Sequence, residues 1–308
     1  MTDGVIHTEA PGIIRIDHGW EGPGHIASYL LHDRDALALV ESGPASTLPA
    51  LLAGIRAAGH DPAALTHVLL THIHLDHAAG AGQLAQLAPR ARIVVHARGA
   101  PHLADPSRLL ASARRLYGDA MEAMYGTMIA IDPARIDVAG DGDEVRVGTR
   151  RVRAMDTPGH AAHHLAFHLV DEDAVFTGDV AGIRLDRVRH ARPPTPPPEV
   201  DTDAWLRSIE RIRAVRPRLL MPTHFGAVDD AEWHLDDLAG RLRAWTALAG
   251  EHAEGSADNL AAALAAHSDP EVLDATGDAA MVRRYADLIP YEAMAQGLLR
   301  QERKRAES

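Results

Sequence analysis

The sequence predicts an α/β protein with an all-helical appendage at its C-terminal end, and three observations carry that prediction. Short apolar runs such as Val68–Leu70 and Arg218–Met221 lead into turns that end on histidine or aspartate, and such runs bounded by turn residues read as buried strands. Between them lie segments with apolar residues three and four apart, such as Leu48, Leu51, Leu52 and Ile55, which read as helices. From Asp229 onward only the helical period remains, carried by Leu235, Leu238, Leu242, Trp245 and Leu248.

Taken in order, Gly12–Asp17, Ile26–His32 and Ala36–Glu41 are three successive strands. The connection Asp17–Gly24 gathers four turn formers around Trp20, which predicts a mobile flap; the alternative is a tryptophan covering the sheet edge. Ser46 or Thr47 caps a helix that runs through Ala58. Val68–His72 is the next strand, followed by a helix start rich in small residues from Ala78 and by the strand Arg92–His96. Residues 105–137 read as a helical insertion whose Leu109, Leu116, Met124 and Met128, with Tyr117, Met121 and Tyr125, make a broad apolar stripe. Such a stripe packs on the body or walls a substrate pocket.

A hairpin follows at Val145–Val147 and Arg151–Met155. Alternation through Leu165, Phe167 and Leu169 places His163 on the core face and His164 on the other; one of them is a buried hydrogen-bonding group or lines the site. The loop 181–200 carries Arg184, Arg187, Arg189 and Arg192, then a stiff proline run from Pro193 to Pro198. Arg184 or a neighbour is a candidate to face the pocket and hold a carboxylate; a solvated loop face is the alternative. A helix with Trp205, Ile209 and Ile212 inward precedes the last strand, and two further helical stretches, about 257–267 and 279–300, finish the chain.

Composition narrows the chemistry. No run of ~18 apolar residues is present to span a bilayer, and Met1–Pro11 has neither the basic nor the apolar part of a leader peptide. The cytoplasm is the default compartment. With no cysteine, His and carboxylate are the only strong metal ligands on offer. A net charge of −12 argues against a general nucleic-acid binder. Lys304 is the single lysine beside 30 arginines, so one arginine by itself carries little information.

The densest chemistry is Thr71-His72-Ile73-His74-Leu75-Asp76-His77. On an extended stretch His72 and His74 point the same way, and the turn then brings Asp76 and His77 round to a second point, which suits two adjacent metal ions better than one. Downstream, Asp156-Thr157-Pro158-Gly159-His160, Phe176-Thr177-Gly178-Asp179 and Met221-Pro222-Thr223-His224 each close a strand on a ligand type. This ordered set, over roughly residues 10–230, resembles the metallo-β-lactamase superfamily, with a glyoxalase II-like motif set. Glu41-Ser42-Gly43 stands where that family usually has Asp-Thr-Gly; the acid there supports the site rather than binding metal.

The resemblance implies a four-layer αββα sandwich over residues 1–228; the helical region 229–308 reads, from its own periodicity, as an appendage packed on the body or on a second subunit, making a homodimer a candidate assembly. It implies that His72, His74 and His160 hold one metal, that Asp76, His77 and His224 hold the other, and that Asp179 bridges them. Two divalent ions, Zn²⁺ first and Fe or Mn as alternatives, would then activate a shared water, with Asp76 orienting it, to hydrolyse an ester, thioester, lactone or phosphoester of a small molecule. A mononuclear-iron sulfur dioxygenase-like oxidoreductase is the alternative. Trp20, His163, His164 and Arg184 are the candidates for supporting or substrate contacts.

Overall fold

The computed structural model describes residues 5–307; Met1–Gly4, the start of the Met1–Pro11 stretch read above, and Ser308 lie outside them. The first sheet holds β1 (Val5–Ala10), β2 (Ile13–Asp17), β3 (Ala27–Asp33), β4 (Ala36–Val40), β5 (His67–Leu69), β6 (Arg92–His96) and β7 (Ile136–Ala139), side by side in chain order. The strands β1 to β4 pair antiparallel and β4 to β7 parallel. Parallel neighbours need crossovers, supplied by α1 (Leu48–Ala57), α2 (Leu75–Ala78), α3 (Ala81–Leu87), α4 (Ala100–Ala104), α5 (Ser107–Tyr117) and α6 (Ala120–Tyr125).

The second sheet runs β12-β11-β10-β9-β8, from β8 (Glu144–Val147), β9 (Arg150–Asp156), β10 (Leu165–Leu169), β11 (Ala174–Gly178) and β12 (Leu219–Pro222). Only β11 and β12 pair parallel there, across α7 (Thr202–Ala214). The tail is α8 (Ala231–Glu251), α9 (Ala257–Thr276), α10 (Ala279–Leu288) and α11 (Tyr291–Ala306). Among the described residues no helix is long and apolar enough to cross a membrane.

Tyr29, Leu31, Val40, Leu69 and Val94 from one sheet meet Val152, Phe167, Phe176 and Met221 from the other in a buried layer. The alternate residues Leu30, Leu39, Val68 and Ile93 face Leu51, Ile55 and Leu84 of the outer helices. On the far side Val175 and Leu220 pack under Trp205, Ile209, Leu235 and Leu238. These are the four layers αββα. Sheets covered on both faces explain why their central strands read as continuous apolar runs rather than alternating ones. The strands β5, β9, β11 and β12 each end just before a histidine or aspartate of the motif set, so one rim of the sandwich collects them all.

Several elements depart from the sequence reading. The edge strand β1 was not anticipated, and the helical insertion ends at Tyr125 rather than near 137, because residues 136–139 join the first sheet as β7 beside β6. Helix α9 continues past His267 to Thr276 in spite of Pro270. The last stretch is two helices, not one: Pro290 lacks an amide hydrogen and disfavours helical geometry at Ile289, whose φ and ψ are extended. Of the two placements expected for the tail, it takes the one on the body. Met281, Tyr285 and Leu288 of α10 enter the core of the first helical layer, while α9 and α11 close on Trp245 with Leu260, Leu264 and Leu298.

One glycine is indispensable to the rim. Gly159 has φ +145°, and a Cβ there would lie 2.6 Å from the backbone nitrogen of Trp205 and 2.4 Å from its Cα. Gly159→Ala is expected to destabilise the protein by ~2 kcal/mol or more, measured as a lowered midpoint in thermal or denaturant unfolding.

Candidate metal centre

The rim brings together all seven residues of the motif set. His72 Nε2 lies 3.0 Å from His74 Nδ1, and His160 Nε2 lies 2.9 Å from the same atom. A second group forms beside the first: Asp76 Oδ2 is 3.5 Å from His77 Nε2 and 3.4 Å from His224 Nε2. Asp179 spans the two, with Oδ1 3.2 Å from His77 Nε2 and 3.4 Å from His224 Nε2, and Oδ2 3.3 Å from His160 Nε2. Four ligands at ~2.0–2.1 Å around a tetrahedral ion stand about 3.3 Å from one another, and the spacings here are close to that edge.

The orientation of each ring explains why these atoms face inward. His160 Nδ1 and His224 Nδ1 are 2.8 Å from the carbonyl oxygens of Pro194 and His25. A carbonyl only accepts, so both Nδ1 atoms carry a proton and both Nε2 atoms turn inward, each offering a lone pair when its ring is neutral. His77 Nδ1 donates to Glu41 at 3.1 Å. His72 Nδ1 sits 3.0 Å from Thr71 Oγ1, whose own proton goes to Glu41. The result is that His77 Nε2, His224 Nε2 and Asp179 Oδ1 are buried facing one another at 3.2–3.4 Å, with no well-formed hydrogen bond to satisfy them. Buried polar atoms are ordinarily satisfied, so this cradle fits cations.

Burial and the charges of the neighbouring histidines, His77 foremost, push His72 well below the ordinary histidine range, and burial does the same to His74 and lowers His160. For His77, burial works in the lowering direction, but Asp179, Asp76 and Glu41 override it and hold the ring well above its ordinary value. His224 is raised in the same way by Asp179 and Asp76. Burial would raise Asp76 and Asp179, yet His77 and His224 keep both carboxyls low.

Glu41 lies within ligand distance of His72 and His77. Its carboxylate is already engaged by Thr71 N, Thr71 Oγ1 and His77 Nδ1, so it fixes ring orientation in place of the family's aspartate. His164 is fully buried: its Nε2 accepts from the Asp179 amide at 3.2 Å and its Nδ1 contacts Thr157 Oγ1 at 2.9 Å. It therefore holds the backbone of Asp179. His163 is the more open of the two, with its ring 6.1 Å from that of His72. The expected faces are thus reversed, because β10 begins only at Leu165 and period-2 alternation does not extend back into the turn before it.

The flap is fastened. Asp17 caps the Gly19 and Gly24 amides, and Trp20, buried to 6 % exposure, donates to Met124 O and stacks on Tyr125 at 5.7 Å. Trp20 also lines a cavity of about 380 Å³ above His74, Asp76 and Asp179. Of the cavity's other walls, sequence reasoning missed Leu288, Ile289 and Pro290 of the tail; a proline inside a helical stretch was the available signal.

The loop arginines are a correction. Arg184 is 3 % exposed and pairs with Asp230, Arg187 pairs with Asp229, and Arg189 lies over the Trp233 ring. Arg192 donates to Ile289 O and packs on Tyr291. None of the four lines the cavity, because the aspartates and aromatic rings of the tail are nearer partners. Arg184→Gln is expected to lower thermal stability while leaving KM for acidic and neutral substrates in the same ratio.

A two-sheet αββα sandwich with histidine and aspartate converging at one rim, in groups that could hold a metal ion, defines the class of protein. The chain belongs to the metallo-beta-lactamase superfamily, whose family profile matches residues 22–224. It is 30 % identical over 182 residues to a metallo-beta-lactamase fold-containing protein of Sulfurisphaera tokodaii, covering 58 % of this chain and 67 % of that one. It is 35 % identical over 115 residues to a hydroxyacylglutathione hydrolase of Cereibacter sphaeroides, a match to 37 % of this chain and only a third (33 %) of that enzyme. Among solved structures, a metallo-beta-lactamase family protein of Thermus thermophilus superposes with a TM-score of 0.72 at 23 % identity, covering 97 % of this chain and 95 % of that one. The shared fold therefore includes the helical tail.

The two histidine groups differ in proton cost. His72, His74 and His160 are held neutral, whereas His77 and His224 must each give up a proton before binding a cation. Metal uptake by the second group is expected to weaken as pH falls and by the first to change less. Metal content at pH 6 and pH 8 after dialysis against limiting Zn²⁺ checks this, with fewer ions per chain at the lower pH.

Proposed function

We propose that this protein is a metal-dependent hydrolase that cleaves a carboxylic ester or thioester of a small molecule. The observation that carries the reading is the pair of ligand groups joined by one carboxylate, with three buried atoms between them that no well-formed hydrogen bond satisfies. His72, His74 and His160 would hold one ion, Asp76, His77 and His224 the other, and Asp179 both. Zn²⁺ suits this His and carboxylate set, and iron or manganese also fit it. Two bound cations supply an acidified water and a Lewis-acid contact for the oxygen of the scissile group.

Everything else is the work of the chain. Asp76 has 21 % of its side chain exposed, against 3 % for Asp179, and lines the cavity. It orients the attacking water and accepts its hydrogen bond. Water oxygen bonds to the acyl carbon, the C–O or C–S bond breaks, and the water's proton ends on the departing alcohol or thiol. Trp20 and Tyr125 close the cavity beside Asp76 and limit bulk water there. Resemblance to a hydroxyacylglutathione hydrolase supports an acyl substrate.

The test is direct. Protein expressed in minimal medium is loaded with Zn²⁺, Mn²⁺ or Fe²⁺ and assayed on acyl esters, acyl thioesters, lactones and phosphoesters. Asp179→Ala is expected to lose at least one ion per chain and to lower kcat at least a thousandfold with the far-UV circular dichroism retained. Retention of both metals and near-normal turnover in that variant would show the bridging role to be wrong. One iron per chain with oxygen uptake and no hydrolysis would favour the oxidoreductase reading.

A further inference from the structure

The cavity above the ligand groups is built largely by segments outside the two sheets. One wall is the insertion, through Leu109 and Leu116 of α5 and Met124 of α6; the facing wall is the tail, through Leu288, Ile289 and Ala293 at the elbow between α10 and α11. The proline run 196–198 closes a third side. Leu116 is one of five large hydrophobic residues left exposed among the described residues, and the only one of those five on this cavity. The carboxylates Asp76 and Asp179 sit at the metal end, Asp287 at the tail wall, and the one arginine on the lining, Arg115, is exposed.

The tail wall is held in place by specific contacts. Arg192 donates to Ile289 O, and Thr195 Oγ1 donates to Met294 O at 3.2 Å. Helix α11 approaches the proline loop so closely that a Cβ on Gly297 would lie 2.0 Å from Thr195 O. The same loop supplies the Pro194 carbonyl that orients His160. One short segment thus fixes both a ligand ring and the tail wall opposite the insertion.

From these observations we infer that the substrate's acyl group is apolar and extended, that it lies between the insertion and the tail elbow, and that Leu109, Leu116, Met124, Leu288, Ile289 and Ala293 set its preferred length. The inference rests on the ester or thioester reading above and adds the class of acyl group. Anionic acyl groups are disfavoured at the far end by Asp287 on the tail wall, where the described lining offers no buried cation and its one arginine, Arg115, is exposed. A cavity of about 380 Å³ falls within the range of small-molecule sites. Each methylene buried there is worth roughly a two- to fourfold gain in binding, and the gain stops when the cavity is full.

The experiment uses the full-length, Zn²⁺-loaded protein with p-nitrophenyl esters and acyl thioesters from acetyl to dodecanoyl, and with succinyl as the anionic comparison. In the wild type kcat/KM is expected to rise at least thirtyfold from acetyl to octanoyl. Ala293→Phe and Ala113→Phe, which fill the cavity from opposite walls, are each expected to cut the octanoyl-to-acetyl ratio at least tenfold. Calorimetric binding of octanamide, verified intact after the titration, gives a readout that needs no catalysis: wild type binds it, and Ala293→Phe binds at least fivefold more weakly. Hydrolysis without chain-length preference, ratios unchanged in both folded variants, or no octanamide binding by wild type would overturn the inference and leave the hydrolase reading intact. Octanamide binding without hydrolysis of any ester or thioester would overturn the hydrolase reading instead.

Discussion

Five imidazoles and two carboxylates meet at one rim of the sandwich, and five of the seven, His72, His77, His160, Asp179 and His224, are buried, with His74 and Asp76 half-buried. Such a cluster is costly to bury unless each ring has a fixed partner on its far side and a cation on its near side. The far-side partners are a matter of fold: Glu41 for His77, Thr71 for His72, the Pro194 carbonyl for His160 and the His25 carbonyl for His224. Each comes from a different element. The His25 carbonyl precedes β3 of the first sheet and His224 follows β12 of the second, so the two sheets must pack before that ring is oriented, and the complete site is a property of the assembled sandwich rather than of the His-rich motif alone.

That dependence runs outward through the supports. Glu41 at the end of β4 ties the residue preceding the motif, Thr71, to His77 behind it. His164 joins β11 to the turn after β9 by holding the Asp179 amide and contacting Thr157. Gly178, at φ +50°, allows Thr71 and His164 to approach the backbone just before Asp179; a Cβ there would lie 2.4 Å from Thr71 Oγ1. Hydrogen bonds of this kind, one step behind the ligand atoms, decide how well a metal site holds its geometry.

The tail and the insertion give the rim its depth. Without them the ligand groups would sit at an open sheet edge. Trp20, Tyr125 and Tyr117 form a continuous aromatic contact on one side, with ring centroids 5.7 and 5.1 Å apart, and the α10–α11 elbow stands opposite. The loop arginines serve this arrangement structurally. Arg184 accepts the Phe225 amide on its carbonyl, donates its own amide to His224 O and pairs its side chain with Asp230. Arg192 reaches the elbow itself. Guanidinium groups that looked like anion receptors are braces between the body and the tail.

The sequence by itself determined the strands that end on ligand types, the order and identity of the seven rim residues, and the helical character of the tail. Those features are local: apolar runs, turn residues and a compact His-x-His-x-Asp-His spacing state them without reference to distant contacts. Only the tertiary structure decided which way each imidazole presents its lone pair, because carbonyls of Pro194 and His25 are 34 and 199 residues away from the rings they orient. It also decided that His164 rather than His163 is the buried support, that Arg184 turns to Asp230, and that Leu288 and Ile289 reach the cavity. In each case the outcome rests on which neighbour lies nearest once the layers have packed, and no periodicity in the chain encodes that distance.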